Sequence, residues 1–120
     1  MTFTHTETDL PIERQYPKLV RDRIPEIIEK DGKIAHRHIA GDEEYVSLLL
    51  SKLIEEASEL KDAQGLEHQK EEIADVREVL KSIQLALGFS DDDVAAAVQA
   101  SKAEARGGFE GRIILDLSPE

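Results

Sequence analysis

Two amphipathic segments, separated by about three residues around Gly65, constrain the fold of this chain more than any other feature. Each segment repeats its apolar residues at the spacing of a helix rather than a strand. The first covers residues 42–64 and the second residues 67–87. Because so short a connection places consecutive helices side by side, we expect an antiparallel helical hairpin. The apolar stripes are Val46, Leu49, Leu50, Leu53, Ala57 and Leu60, then Ile73, Val76, Leu80, Ile83 and Leu87.

Shorter elements are predicted on either side of the hairpin. Pro25 suits the first turn of a short helix that ends near Asp31. Ser90 and Asp93 form a capping-box pattern for a third helix, which should stop at Gly107. Residues 33–39 and 112–117 are predicted to form short strands.

The segment before Tyr16 has no periodicity, so we expect residues 1–15 to form a flexible arm. Residues 16–120 should then form a single all-α domain. Its core must be thin, because aromatic residues make up only 4% of the chain. We therefore expect a helical bundle that a second copy of the chain completes, as a homodimer or a higher homo-oligomer.

Composition narrows the class of protein. The chain has no cysteine, which excludes disulfides and thiolate chemistry. No apolar run approaches the roughly 20 residues that a membrane helix needs, and no targeting segment is apparent, so we expect a cytoplasmic protein. The net charge of −11 disfavours nucleic acid polymers and anionic membranes as partners. A small polyanionic ligand would need local cations, metal ions or both.

Acidic pairs three residues apart occur in both long segments. Such pairs usually lie on a solvated face in a chain with 26 acids. Here, however, Glu59 and Glu72 lie at equal distances from the Gly65–Leu66 junction, and so do Glu56 and Asp75. In an antiparallel hairpin, residues at equal distances from the turn lie opposite each other along the helix axes. The Glu59/Glu72 and Glu56/Asp75 pairs should therefore be about 4.5 Å apart along the axes. The spacing predicts four converging carboxylates.

The position of Glu72 supports this prediction. At 100° per residue, Glu72 falls only about 20° from the centre of its helix's apolar stripe, where an uncompensated charge is costly. A hard divalent cation would compensate the charge, and all-oxygen ligands favour Mg²⁺. A lysine or arginine from elsewhere could instead neutralise the acids in a purely structural network. The residues alone leave both interpretations open.

Three stretches together give a family resemblance. The sequence LIEEASEL, followed after ten residues by EEIADV, resembles the EExxE…ExxD signature of the MazG-like all-α nucleoside triphosphate pyrophosphohydrolases. The flanking sequences KLVRDRIPEII and KAEARGGFEGRIIL are similar to the phosphoribosyl-ATP pyrophosphohydrolase-like branch of that superfamily. The resemblance spans residues 16–117 in the same order.

The resemblance implies a dimeric helical bundle that splits a nucleoside triphosphate into monophosphate and pyrophosphate with Mg²⁺, for which Mn²⁺ is a possible substitute. By the motif, the metal ligands are Glu56, Glu59, Glu72 and Asp75. Glu55 is a further ligand or positions the attacking water. The base is either Glu55 or a hydroxide held by the metal, and the sequence does not choose between them. The residues expected to hold phosphates are Lys102 and Arg106, with Lys18 and Arg21 as weaker candidates.

Two alternatives remain. Hydrolysis of phosphoribosyl-ATP in histidine synthesis would use the same acidic motif. A non-catalytic dimerisation domain would keep the helices but bind no Mg²⁺ tightly and show no turnover. The leading expectation is a nucleotide pyrophosphohydrolase, which would serve to clear non-standard nucleotides.

Overall fold

The structure, a computed structural model, describes residues 16–119 and is helical throughout its regular elements. The predicted all-α class is therefore confirmed for these residues, while the arm predicted for residues 1–15 lies outside them. The elements are α1 (Ile24–Lys30), α2 (Asp42–Asp62), α3 (Leu66–Ala86), a π-helical segment (Asp92–Gln99) and α4 (Ala100–Arg106).

The two long helices begin and end within two residues of their predicted bounds. α2 follows Gly41, whose backbone is extended, and stops where Ala63 turns to an extended conformation. Gly65 has a φ of 86°, a left-handed conformation that favours glycine, and α3 starts at the next residue. The connection is therefore only residues 63–65, which explains why α2 and α3 pack along each other.

The hydrophobic core lies between α2 and α3. Leu49 of α2 packs with Val79 and Ile83 of α3, and all three are buried. Leu19, Tyr45 and Leu53 are partly buried against this cluster. The core is as thin as the composition predicted, because no large side chain among the described residues is fully enclosed.

Several residues of the predicted apolar stripes lie outside this core. Ile73 and Leu80 on α3, and Leu87 directly after its end, recur every seven residues and are 42–51% exposed. Leu50 and Ile54, one turn apart on α2, are exposed as well. Each long helix therefore carries a second apolar stripe that residues 16–88 leave uncovered.

The short strands predicted at 33–39 and 112–117 are wrong. Neither stretch forms a strand in the described residues. A strand needs a neighbour to accept its backbone hydrogen bonds, and these two stretches do not pair. Their apolar side chains are also exposed to solvent, with Ile34, Ile39 and Ile113 each at least 78% exposed.

Tertiary contacts divide the chain into two compact units, the first ending at Gly88 and the second beginning at Phe89. The second unit opens with the predicted capping box. The Asp93 amide donates to Ser90 Oγ at 3.1 Å, and the Ser90 amide donates to Asp93 Oδ2 at 3.0 Å. The helix then runs through the π-helical segment, which the periodicity did not predict, and α4 ends before Gly107 with its φ of 82°.

The single domain expected for residues 16–120 stays a prediction. Within the described part of the chain, no helix combines the length and apolar character needed to cross a bilayer.

Candidate metal centre

Three carboxylates converge between α2 and α3. Glu56 and Glu59 lie one turn apart on α2, and Glu72 faces them from α3. One carboxylate oxygen from each lies within 4.8 Å of the other two. These are three of the four ligands predicted from the sequence, and the fourth, Asp75, is outside the group.

Glu56 and Glu72 are buried, at 6% and 8% exposure. Glu56 Oε2 and Glu72 Oε2 are completely enclosed and have no hydrogen-bond partner among the described residues. Buried polar atoms normally have partners, and an unpaired carboxylate oxygen is costly. The predicted intrusion of Glu72 into the apolar side of its helix is thus confirmed.

Crowding changes the protonation of two of these acids. Burial, and then the neighbouring charges of Glu56 and Glu72, raise the pKa of Glu59 to about 7. Burial is also the first cause that raises the pKa of Glu72, followed by its contact with Glu56. Both shifts arise because like charges are held together in a region with little water. A cation bound here would remove that penalty.

Glu55 is oriented differently from its neighbour Glu56. Its Oε1 lies 3.8 Å from Lys18 Nζ, and its Oε2 lies 3.1 Å from Lys52 Nζ. Lys52 Nζ is also 3.5 Å from Glu56 Oε1. Both oxygens of Glu55 thus face ammonium groups. Glu55, which the resemblance implied to be a metal ligand or the base, therefore lies in a cluster of ion pairs.

Lys52 is a site residue that the sequence analysis missed. Its side chain is only 18% exposed, and its ammonium joins Glu55 to Glu56. The signal was present, because Lys52 precedes these acids by three and four residues, the spacing at which helical side chains meet.

Asp75 is held by Arg21. Arg21 Nη2 donates to Asp75 Oδ1 at 2.7 Å, a charge-assisted hydrogen bond. Two predicted phosphate-binding residues, Lys18 and Arg21, therefore contact two predicted acids of the site, Glu55 on α2 and Asp75 on α3.

We call residues 16–23 the strap, because this segment contacts both long helices. Leu19 packs on the core, while Lys18 and Arg21 make the ion pairs described above. The strap and α2 enclose a small cavity lined by Tyr16, Pro17, Lys18, Leu19, Leu48, Ser51, Lys52 and Glu55.

A second, open depression gives solvent access to the carboxylates. Glu59 and Glu72 form part of its wall, together with Ser58, Asp62 and His68. His68 Nε2 lies 3.5 Å from Glu72 Oε1 and its side chain is 54% exposed. A ligand in solution can therefore approach the converging oxygens without unfolding either helix.

The remaining predicted phosphate-binding residues, Lys102 and Arg106, lie in the second unit. They are one turn apart on α4 and exposed, with Arg106 in its last turn. Their assignment stays a prediction based on the resemblance.

The donor set fits a hard divalent cation. It consists of carboxylates alone, and two of these carboxylates each carry a buried oxygen without a partner. Oxygen donors of this kind suit Mg²⁺, Mn²⁺ or Ca²⁺. The structural network that the sequence left open accounts for Glu55 and Asp75, which face lysine and arginine, but not for the orphaned oxygens.

Comparison with known protein families, with curated proteins and with solved structures finds no match to this chain.

Proposed function

We propose that this protein is a Mg²⁺-dependent nucleoside triphosphate pyrophosphohydrolase that releases nucleoside monophosphate and pyrophosphate. One observation carries the proposal: three carboxylates converge beside a solvent-open depression, and two of them, Glu56 and Glu72, each carry a buried oxygen without a hydrogen-bond partner. The reaction comes from the resemblance of the two acidic motifs to those of MazG-like enzymes.

Glu56, Glu59 and Glu72 would hold the metal. When bound, Mg²⁺ neutralises charge on the phosphates and activates the attacking water. Lys52 holds one oxygen of Glu56 and leaves the other buried without a partner. Lys18 and Arg21 of the strap bring positive charge to the same unit, which a polyanionic substrate needs in a protein of charge −11.

The helix pair is proposed to be an antiparallel hairpin that a second copy completes. Residues in contact lie at similar distances from the connection, as Glu59 with Glu72 and Leu49 with Ile83 do. In an antiparallel pair the exposed stripes of both helices fall on one side, and the carboxylates and strap lie on the other. A dimer that buries the apolar side would thus leave the carboxylates open.

The activity is tested with a panel of standard, deoxy and modified triphosphates and phosphoribosyl-ATP, each incubated with Mg²⁺. Monophosphate and pyrophosphate are the expected products. Release of inorganic phosphate would contradict cleavage between the α and β phosphates. Cleavage of phosphoribosyl-ATP alone would identify the histidine-pathway reaction, and no turnover with any compound would favour the non-catalytic domain.

A matched pair of variants tests the metal centre. Glu72→Gln removes the buried ligand and should reduce turnover about 100-fold or more, since metal stabilisation of the transition state is worth several kcal/mol. Glu71→Gln makes the same change at the adjacent exposed position and should leave turnover unchanged. Full activity of Glu72→Gln, with intact helical content by circular dichroism, would refute the ligand assignment.

A further inference from the structure

Asp75 and Glu72 are one turn apart on α3, yet they have different partners. Glu72 joins Glu56 and Glu59, whereas Asp75 pairs with Arg21 of the strap. Residues three apart on a helix lie on the same face, so Asp75 is close to the carboxylate group without belonging to it. Arg21 is therefore bonded to an acid that lies one helical turn from Glu72 of the proposed metal centre.

We propose that Arg21 and the divalent cation compete for Asp75, so that metal binding releases the Arg21 guanidinium to bind the phosphates of the substrate. The proposal rests on the proposed function, because it assigns the metal and the phosphates to the same site. It makes Arg21 a substrate-binding residue whose availability depends on the metal.

Because Arg21 and Asp75 are both exposed to water, separating them requires little free energy. The side chains of Arg21 and Asp75 are 60% and 35% exposed, and pairs this open to water contribute little stability. By contrast, Lys52 and Glu55 are 18% and 6% exposed, so their pair should persist. Of these two pairs, Arg21–Asp75 is therefore the one that a cation can break with little loss of free energy.

The strap should keep the released guanidinium near the site. Lys18 remains paired with Glu55, and Leu19 remains packed on the core. Arg21 is only two residues beyond Leu19, so its side chain cannot diffuse away. A guanidinium also binds phosphate with the same two-pronged geometry that it uses for carboxylate, so the new partner replaces the lost bond.

The first experiment measures Mn²⁺ affinity of the full-length protein by electron paramagnetic resonance, without nucleotide. Arg21→Gln removes the competitor for Asp75 and should tighten Mn²⁺ binding about two- to fivefold, as expected for loss of an exposed pair. Arg23→Gln removes one positive charge two residues away. It controls for the effect that any loss of positive charge in this segment has on Mn²⁺ affinity. Equal effects of the two substitutions, or weaker Mn²⁺ binding in Arg21→Gln, would overturn the proposal.

The second experiment measures inorganic pyrophosphate affinity at saturating Mn²⁺ by calorimetry. Arg21→Gln should weaken pyrophosphate binding about tenfold, because the variant lacks the guanidinium that would bind the phosphates. If Arg21 had only a structural role, Arg21→Gln would weaken the binding of both Mn²⁺ and pyrophosphate. Tighter Mn²⁺ binding together with weaker pyrophosphate binding is therefore the diagnostic result. Unchanged pyrophosphate affinity would refute the release.

A double-mutant cycle isolates the competition for Asp75. Asp75→Asn should weaken Mn²⁺ binding, and in that background Arg21→Gln should no longer tighten it, since nothing is left to compete for. Persistence of the tightening would show that Arg21 acts without Asp75. If the cycle behaves as expected but no triphosphate is hydrolysed, the proposed function fails while the competition stands.

Discussion

The acids of the site do not behave alike, because each has a different environment. Glu55 and Asp75 face positively charged side chains, whereas Glu59 and Glu72 lie among other carboxylates. The raised pKa values of Glu59 and Glu72 follow from this difference, with burial as the leading cause. The same residue types in one motif therefore serve different physical roles.

The pKa of Glu59 predicts how the stability of the metal-free protein changes with pH. Since the folded-state pKa is about 7 and the ordinary value is 4.5, the folded protein binds more protons between these values. The free energy of unfolding should fall as pH rises from 4.5 to 7. Glu59→Gln should flatten this dependence and stabilise the protein at pH 8 by about 1 kcal/mol, a value discounted for solvent screening.

Urea denaturation at several pH values, with a chelator present, measures this dependence. Glu43→Gln, at an exposed position in the first turn of α2, is the control and should retain the wild-type slope. A free energy of unfolding that rises steadily from pH 4.5 to 7 in the wild type would contradict the prediction.

Metal binding should show the opposite pH dependence. The cation must displace the proton that Glu59 retains below pH 7, so Mn²⁺ affinity should increase from pH 6 to pH 8. Calorimetry in two buffers with different ionisation enthalpies measures the released protons. Their number should be larger at pH 6 than at pH 8, and an equal number at both would argue against Glu59 as a ligand.

Lys52 should be important for stability as well as for the site. Lys52→Met leaves the buried Glu55 and Glu56 without the ammonium between them, so the free energy of unfolding should fall by about 2 kcal/mol. Lys61→Met, on the same helix but exposed, should change it by less than about 0.5 kcal/mol. Equal midpoints of urea denaturation for the two variants would contradict the prediction.

At the scale of elements, the sequence predicted what depends on local chemistry. The ends of α2 and α3 follow from Gly41, Gly65 and the helical spacing of apolar residues. Glu72 was expected on the apolar side of α3, and it is buried on that helix together with Val79 and Ile83. Each of these signals lies within a few residues of the feature that it determines, so a single sequence suffices to detect it.

Features that depend on distant residues were missed. The Arg21–Asp75 bond joins positions 54 residues apart, and no periodicity in either segment encodes that contact. The strands at 33–39 and 112–117 failed for the same reason, since a strand exists only if a partner lies beside it. Only the three-dimensional arrangement supplies such partners.

The capping box of the second unit gives a test at this scale. Ser90→Ala removes the hydroxyl that accepts from the Asp93 amide and should destabilise the helix by about 1 kcal/mol. Hydrogen exchange of the amides at 93–96 should accelerate accordingly. Ser101→Ala, inside α4, is the control and should not accelerate exchange at 93–96. Unchanged exchange in Ser90→Ala would show that the cap contributes nothing.

At the scale of the whole molecule, the exposed apolar side of the helix pair predicts self-association. Leu80→Glu places a charge in the exposed stripe of α3 and should convert a dimer to a monomer, measured by sedimentation at micromolar concentration. Leu85→Glu, exposed on another face of the same helix, should leave the dimer intact. A wild-type protein that sediments as a stable monomer would refute the dimer.

The three-residue connection between α2 and α3 also has a kinetic consequence. Contacts between residues close in sequence form early in folding, since little chain entropy is lost in closing the loop. Glu56, Glu59 and Glu72 should therefore be brought together before the strap, whose bond to Asp75 spans 54 residues, can dock. During that interval the nascent site holds its acids without Arg21, and a divalent cation present while the chain folds would bind a site with no competitor.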